Sequence, residues 1–336
     1  MKRVSTEDAP DPKQPKARKP LPTPPSVFCT SRGERAAQED RLQTVDDGWH
    51  TTTAAAAEGE EAGATEDAAP GRAGWPGCRF YGVFDGHSGD AASEAASRLV
   101  WARLQPALAA LQERCSPAGG VPADADVEVA LREAFRATEE ELLASAADGA
   151  ERAGTTAVCA LLLGDDAAWV AHVGDSRCVM CHAERAVRLS EDHKPNVPAE
   201  SARIVAAGGE VTTPHARGIE NVPRLNGALS VSRALGNAAF KRGERGAALI
   251  ATPDVRRVAC GEFDSFLILA SDGLWDVLSD DAAVAIVLQE LQSKWPRKTA
   301  QARAQAACDK LVREVLLSGR CSDNVTAVLV LLQDFS

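Results

Sequence analysis

At 336 residues the chain can hold one large domain or two ordinary ones, and 45% apolar residues matches a globular protein with a sizeable core. A net charge of −11 argues against a folded body that binds nucleic acid or an anionic membrane. Nine cysteines, an odd number without framework spacing, point to reduced thiols in a cytoplasmic or nuclear protein.

Residues 1–26 are rich in Pro and Lys and almost empty of large apolar side chains, so a disordered basic tail is expected. Lys2-Arg3 and the group Lys13, Lys16, Arg18 and Lys19 read equally as a solvated end and as a two-part nuclear import signal, whose partner would be an import receptor. The charge comes without an apolar core, so no standard secretory signal is expected. No apolar run in the chain reaches the roughly 18 residues of a membrane span.

From Phe28 to about Val45 the chain reads as extended, and Arg35-Ala-Ala-Gln-Glu39-Asp40 sets a cation four residues before two acids. In an extended segment Arg35 and Glu39 share a face and Asp40 points away. A guanidinium beside a metal-binding carboxylate makes a phosphate clamp; a salt-bridged surface strand is the plainer alternative. Cys29 and Arg35 also match the Cys-x5-Arg spacing of cysteine phosphatases. That chemistry needs the loop to run into a helix N-terminus, whereas a strand is predicted there. Trp49 to about Gly77, rich in Thr, Ala, Glu and Gly, is expected to be a flexible loop insertion near 50–77.

Phe80-Tyr-Gly-Val-Phe84 lacks polar alternation, which predicts a strand buried on both faces. It delivers Asp85 at its end, in a turn that Gly86 permits, with His87 next. Helices are predicted over about Asp90–Glu113 and along the spacing Val127, Leu131, Phe135, Leu142. Thr155–Leu163, Ala167–Val173, Arg177–Cys181 and Ala186–Leu189 predict short strands with turns at Gly164-Asp165-Asp166 and Gly174-Asp175-Ser176, an antiparallel meander. Cys178 and Cys181 would then face opposite ways and could not form a metal or redox pair.

A short helix over Ala199–Ala207 precedes an irregular stretch, 211–249, which is expected to be a functional flap. The last third predicts a strand Ser265–Ser271 ending in Asp272, helices at about Asp280–Leu291 and Thr299–Leu317, and a strand Val325–Leu332 preceded by Asp323. Clustered strands with helices in pairs predict an α+β fold of antiparallel sheets flanked by helices. The converging acids run from Glu39 to Asp323, so one domain over 27–334 is expected.

Carboxylates at the ends of buried strands need a counter-charge, which a hard divalent cation supplies. An all-oxygen donor set suits Mg²⁺ or Mn²⁺ better than Zn²⁺. Two such ions sharing one carboxylate can ionise a bridging water and clamp an in-line displacement at phosphorus. His87 could protonate the leaving oxygen; as a plain turn residue it would bond to backbone instead.

Ten stretches in order carry a likeness: Arg35-x-x-x-Glu39-Asp40, Val83-Phe-Asp-Gly-His-Ser-Gly89, Gly154-Thr-Thr156, His172-Val-Gly-Asp-Ser-Arg177, Asp192-His-Lys-Pro195, Gly208-Gly209, Arg224-Leu-Asn-Gly227, Ser232-Arg-Ala-Leu-Gly236, Leu269-Ala-Ser-Asp-Gly-Leu-Trp-Asp276 and Asp323-Asn-Val-Thr326. In these, over about residues 28–332, the chain resembles the metal-dependent type 2C protein serine/threonine phosphatases. The resemblance implies a β-sandwich of two antiparallel sheets flanked by helical pairs, with two metals at one end. It implies that Asp85 bridges both ions, that Asp272 and Asp323 complete one, and that Glu39 with the Gly86 carbonyl completes the other, with Asp40 behind them. Asp175 with Asp272 matches a weaker third position. Arg35 would hold the substrate phosphate and His87 would be the general acid.

Substrates would be phosphorylated proteins, with no nucleic-acid or membrane partner, and the enzyme a monomer. Asn237 departs from the family pattern, where Asp often follows Ala-Leu-Gly, and this bears on how the flap is anchored. A non-catalytic binding protein on the same fold is the alternative; the filled acid set favours catalysis.

Overall fold

The computed structural model describes residues 26–46, 50–55, 77–115, 122–146, 151–214, 221–293 and 299–335. The basic tail to residue 25 and residues 56–76 of the insertion lie outside the described residues.

Among the described residues, eleven strands make two antiparallel sheets. One is built from β1 (Ser26–Ser31), β9 (Arg177–His182), β10 (Arg185–Arg188), β15 (Asp264–Ala270) and β16 (Val325–Leu331), in the order β1-β16-β15-β9-β10. The other holds β2 (Arg41–Asp46), β3 (His50–Ala55), β4 (Cys78–Phe84), β7 (Ala157–Leu163), β8 (Ala167–Val173) and β14 (Asp254–Ala259), in the order β14-β8-β7-β4-β2-β3. Short strands β5 (Gly86–His87), β6 (Gly154–Thr155) and β13 (Leu235–Gly236) form a third, small sheet, and β11 (Val211–Thr212) pairs with β12 (Arg224–Leu225).

Side chains alternate along a strand, and here both faces of the central strands are apolar for that reason. In β4, Tyr81 and Val83 join Leu267, Leu269, Val328 and Val330 of the opposite sheet in the layer between the sheets. Phe80 and Phe84 point outward to helices α1 (Ala91–Cys115) and α2 (Asp124–Ser145). In β16, Ala327 and Leu329 point outward to α6 (Asp280–Leu291) and α7 (Ala300–Leu317). Between these pairs lie α3 (Pro198–Ala206), the short α4 (Ala238–Lys241) and the single turn α5 (Asp272–Trp275). Phe80, Phe135 and Phe266 are fully buried, and truncating any one to Ala would cost about 3–5 kcal/mol. The layers are those expected of the α+β sandwich. Cys178 faces the layer between the sheets and Cys181 the helix layer, so they point apart as predicted.

Three local expectations are corrected. The predicted meander is split: β7 and β8 pair in one sheet, β9 and β10 in the other, and Gly174-Asp175-Ser176 is the crossover between them. Gly174 makes that crossover with φ +91, and a Cβ there would lie 2.6 Å from the Thr156 side chain. The insertion starts not as loop but as β3, which pairs with β2 along all six residues. Strand β14 was not predicted because Asp254-Val-Arg-Arg-Val-Ala259 is a mostly exposed edge strand without an apolar run. Among the described residues, no helix is long and apolar enough to cross a membrane.

Candidate active site

Strand register brings the acids to one end of the sandwich. Phe84 pairs with Arg41 and Val83 with Val158, so Asp85 emerges beside Glu39-Asp40 and Thr156. In the other sheet Ala270 lies opposite both Arg177 and Ala327, so Asp272, Asp175 and Asp323 leave the sheet together. The segment 32–40 and the crossover at 174–176 carry the chain between sheets at this same end.

All eight residues singled out from the sequence line one cavity of about 230 Å³: Arg35, Glu39, Asp85, Gly86, His87, Asp175, Asp272 and Asp323. Carboxylate oxygens of Asp85, Asp175 and Asp272 lie within 4.8 Å of one another. Glu39 and Asp323 are turned to protein donors: Glu39 Oε1 accepts from Gly89 N at 2.7 Å, and Asp323 Oδ2 accepts from Arg35 Nη2 at 2.5 Å. Asp40 is buried behind them and accepts from Ser271 Oγ at 2.9 Å.

The electrostatics are those of an acid cluster short of counter-charge. Burial first, then Asp40, Asp272, Asp175 and Asp323, push the Asp85 carboxyl well above the usual carboxylate range. Burial and Asp175 do the same to Asp272, against the pull of Lys194. Burial raises Asp40 to about 6, although hydrogen bonds from Thr326 and Ser271 oppose it. Arg35 is raised: burial works against its charge, but Asp323, Glu39 and Asp85 outweigh burial. An oxygen-only set of this kind fits a hard divalent cation, which would replace the missing positive charge.

Several residues that shape the site had been assigned no role from sequence. Lys194 pairs with Asp175, and Thr156, Arg224 and Val231 line the cavity. Their motifs were visible, but nothing local says that residues 224–231 fold back over Asp85. His87 bonds not to backbone but to Asn237, with Nε2 3.1 Å from Oδ1.

Cys29 offers no alternative nucleophile. It is buried on β1, its thiol donates to the Cys308 carbonyl at 2.9 Å, and burial pushes its pKa well up. A second group, His172, His193 and Asp254, is close enough to share an ion. However, the two rings stack within 2° of parallel at 4.5 Å, so their in-plane lone pairs cannot converge. Both nitrogens of His193 are also engaged, by Gly174 N and Asp254.

A two-sheet sandwich with a carboxylate centre at one end, a guanidinium at its rim and a histidine beside it is the arrangement that a metal-dependent phosphate-ester hydrolase needs. Comparison with known proteins narrows that class. A sequence profile described as protein phosphatase 2C matches residues 63–324. Probable protein phosphatase 2C 69 of Arabidopsis thaliana is 33% identical over 305 residues, covering 90% of this chain and 68% of that protein. Probable protein phosphatase 2C 71 of Arabidopsis thaliana is 33% identical over 305 residues, but the chain spans only 54% of its length. The crystal structure of serine-threonine phosphatase 2C from Toxoplasma gondii superposes with a TM-score of 0.70 at 30% identity, covering 91% of this chain and 94% of that one.

The chain belongs to the protein phosphatase 2C family, whose members are metal-dependent serine/threonine phosphatases acting on phosphoproteins. The profile match begins after Arg35 and Glu39, yet both residues line the same cavity as Asp85.

Proposed function

We propose that the chain hydrolyses phosphoserine and phosphothreonine in proteins, using two Mg²⁺ or Mn²⁺ ions with a weaker third position, and that residues 27–334 act as one monomeric phosphatase domain. The observation that carries this reading is the meeting of Asp85, Asp175 and Asp272 within 4.8 Å in a cavity rimmed by Arg35 and His87. Asp85 would bridge the two ions, with Asp272 and Asp323 on one and Glu39 and the Gly86 carbonyl on the other. Asp175 and Asp272 would hold the third. Bound there, the ions would supply Lewis acidity and a water ionised near neutral pH.

The chain's own residues do the rest. Arg35 offers a planar fork to the phosphoryl oxygens and, held against Asp323, is oriented before substrate arrives. His87 gives a proton to the departing seryl or threonyl oxygen as the P–O bond breaks. Asp40 accepts from Ser271, which ties the Asp272 turn to the segment carrying Glu39. Residues 228–231 of the 211–249 flap close the cavity wall and exclude water from one side. The basic tail, for which an import receptor is the proposed partner, takes no part in this chemistry.

The deciding experiment is phosphopeptide turnover by the purified protein with Mn²⁺, with Mg²⁺ and with EDTA. Turnover restored by either ion after chelation supports the reading; turnover that survives EDTA, or none with any divalent ion, sinks it.

A further inference from the structure

The small sheet β13-β6-β5 has no strand longer than two residues, yet it sets the surroundings of His87. His87 pairs with Gly154 on one side of β6, and Gly236 pairs with Gly154 on the other. Asn237, next after Gly236, therefore sits across β6 from His87. Its amide reaches His87 by lying directly on Gly154: a Cβ at that glycine would fall 2.0 Å from Asn237 Oδ1. No residue with a side chain fits there without displacing the amide.

The orientation of that amide is determined. Asn237 Nδ2 donates to the Arg152 carbonyl at 2.8 Å, so Oδ1 is the atom that meets His87 Nε2 at 3.1 Å. An amide oxygen only accepts, so Nε2 carries a proton. His87 Nδ1 has no hydrogen-bond partner among the described residues. Asn237 is itself locked. It is buried, its backbone is left-handed with φ 54, and its N–H donates to the Ala153 carbonyl at 2.7 Å. The preceding Gly236 N–H donates to Glu139 Oε2 at 2.8 Å, and Glu139 also pairs with Lys241 at 2.5 Å. A chain of contacts thus runs from helix α2 through 236–237 to the imidazole.

We propose that Asn237 is the positioning residue of His87. It keeps Nε2 protonated in both charge states of the ring, so that Nδ1 is the atom that takes a proton from solvent, making the imidazolium, and then delivers it. In the step itself the Nδ1–H bond breaks, the proton goes to the leaving oxygen as the P–O bond opens, and a neutral imidazole remains with Nε2–H still on Asn237. The inference rests on the reading of His87 as general acid. Asn suits this chain because a carboxylate at 237 would place an oxygen against the Arg152 carbonyl in place of the N–H that now meets it.

The test compares full-length variants on a phosphoserine peptide and on p-nitrophenyl phosphate, whose leaving group needs no proton. Asn237→Gly tolerates the left-handed backbone and removes the amide. It should lose on the order of 10–100-fold in kcat on the peptide and less than threefold on p-nitrophenyl phosphate, with KM little changed. Gly154→Ala should show the same selective loss by pushing the amide aside, and should add nothing in the Asn237→Gly background. Asn237→Asp keeps the acceptor and should retain peptide turnover within about threefold while melting lower. Independently of turnover, the ¹⁵N shifts of the neutral His87 ring in the Mg²⁺-loaded protein should report Nε2–H in the natural chain and a mixture in Asn237→Gly.

His87→Gln separates the two ideas. Equal losses on both substrates in that variant remove the acid, and this inference with it. A selective loss in His87→Gln but none in Asn237→Gly, or an unchanged tautomer in Asn237→Gly, removes the role of Asn237 alone.

Discussion

Glu200 and Asp272 are both acids withdrawn from solvent, and their surroundings treat them in opposite ways. Glu200, on α3, accepts from Arg203 at 2.7 Å, from Arg233 at 2.6 Å and from Ser232 at 2.7 Å. Burial works to raise its pKa, but these partners outweigh burial and hold it down to about 2. Asp272 instead lies beside Asp85, Asp175 and Asp276, and burial first, then Asp175, push it up against Lys194, the chief opposing charge. The first acid fastens the base of the flap to α3 and is satisfied by the protein itself. The second is left unsatisfied in a cavity. A buried carboxylate matched by its own arginines is structure; a set of carboxylates that outnumbers its cations, here Lys194 and Arg35, is a place prepared for a ligand charge.

The sharpest way to break this contrast is to neutralise one acid in each region. On the proposed reading, in which Asp272 is a metal ligand, Asp272→Asn should cut phosphopeptide turnover at saturating Mg²⁺ by orders of magnitude. The same substitution should raise the melting temperature of the EDTA-treated protein, since it relieves repulsion among like charges. Glu200→Gln should do the reverse. It leaves Arg203 and Arg233 without their acid and should destabilise the fold by about 3 kcal/mol or more, read by urea unfolding in EDTA, with no change in the number of ions bound by titration. If Asp272→Asn also lowers the melting temperature in EDTA, the two regions are not electrostatic opposites.

The pH dependence of stability should diverge in the same way. In the metal-free fold Asp40 holds its proton to about 6, and Asp85 and Asp272 are also raised above the carboxylate range. The folded state then binds more protons than the unfolded chain across that window, so this region's contribution falls as pH rises through it. Glu200 titrates near 4.5 when unfolded and about 2 when folded. Its contribution is full above about 4.5 and is lost as pH falls from there towards 2. Melting curves in EDTA should therefore show the advantage of Asp272→Asn growing as pH rises above the ordinary carboxylate range. The penalty of Glu200→Gln should shrink below pH 4.5. A parallel pH course for both differences would show that a shared global effect, not these local charges, controls them.

What was legible in the sequence follows the same division. Apolar runs that stop at an acid, as at Phe84-Asp85 and before Asp272, announce both a buried strand and a site, because period-two alternation is absent and the charge is abrupt. Helices α2 and α7 were equally plain from their apolar spacing. The crossover at Gly174-Asp175-Ser176 was not legible: its composition is that of a hairpin turn, and the close approach of Gly174 to Thr156 that goes with the crossover is a contact between distant residues. Strand β3, His50-Thr-Thr-Thr-Ala-Ala55, has the composition of a loop and is a strand because β2 offers it a free edge. The His87–Asn237 contact joins residues 150 apart, and the sequence marked only that Asn237 was unusual.

The smallest expected effect tests whether an arginine can be part of the site without being part of the scaffold. Arg35 and Arg233 both pair with carboxylates. Arg233 is largely covered and holds Glu200 and Asp254 together, whereas the Arg35 side chain is 52% exposed and its partner Asp323 35%. An exposed pair of this kind contributes about 0–1 kcal/mol to stability, because water screens the attraction and two long side chains lose freedom. Arg35→Ala should therefore leave the urea midpoint of the metal-free protein almost unmoved, while Arg233→Ala lowers it clearly. On the substrate side the order reverses. A guanidinium–phosphate contact is worth about 1.5–3 kcal/mol, so Arg35→Ala should lower kcat/KM for phosphopeptide by roughly tenfold to a hundredfold. Arg35→Lys, with the charge but not the fork, should fall between. If Arg35→Ala destabilises the fold as much as Arg233→Ala does, Arg35 is a brace for Asp323 and not the phosphate clamp.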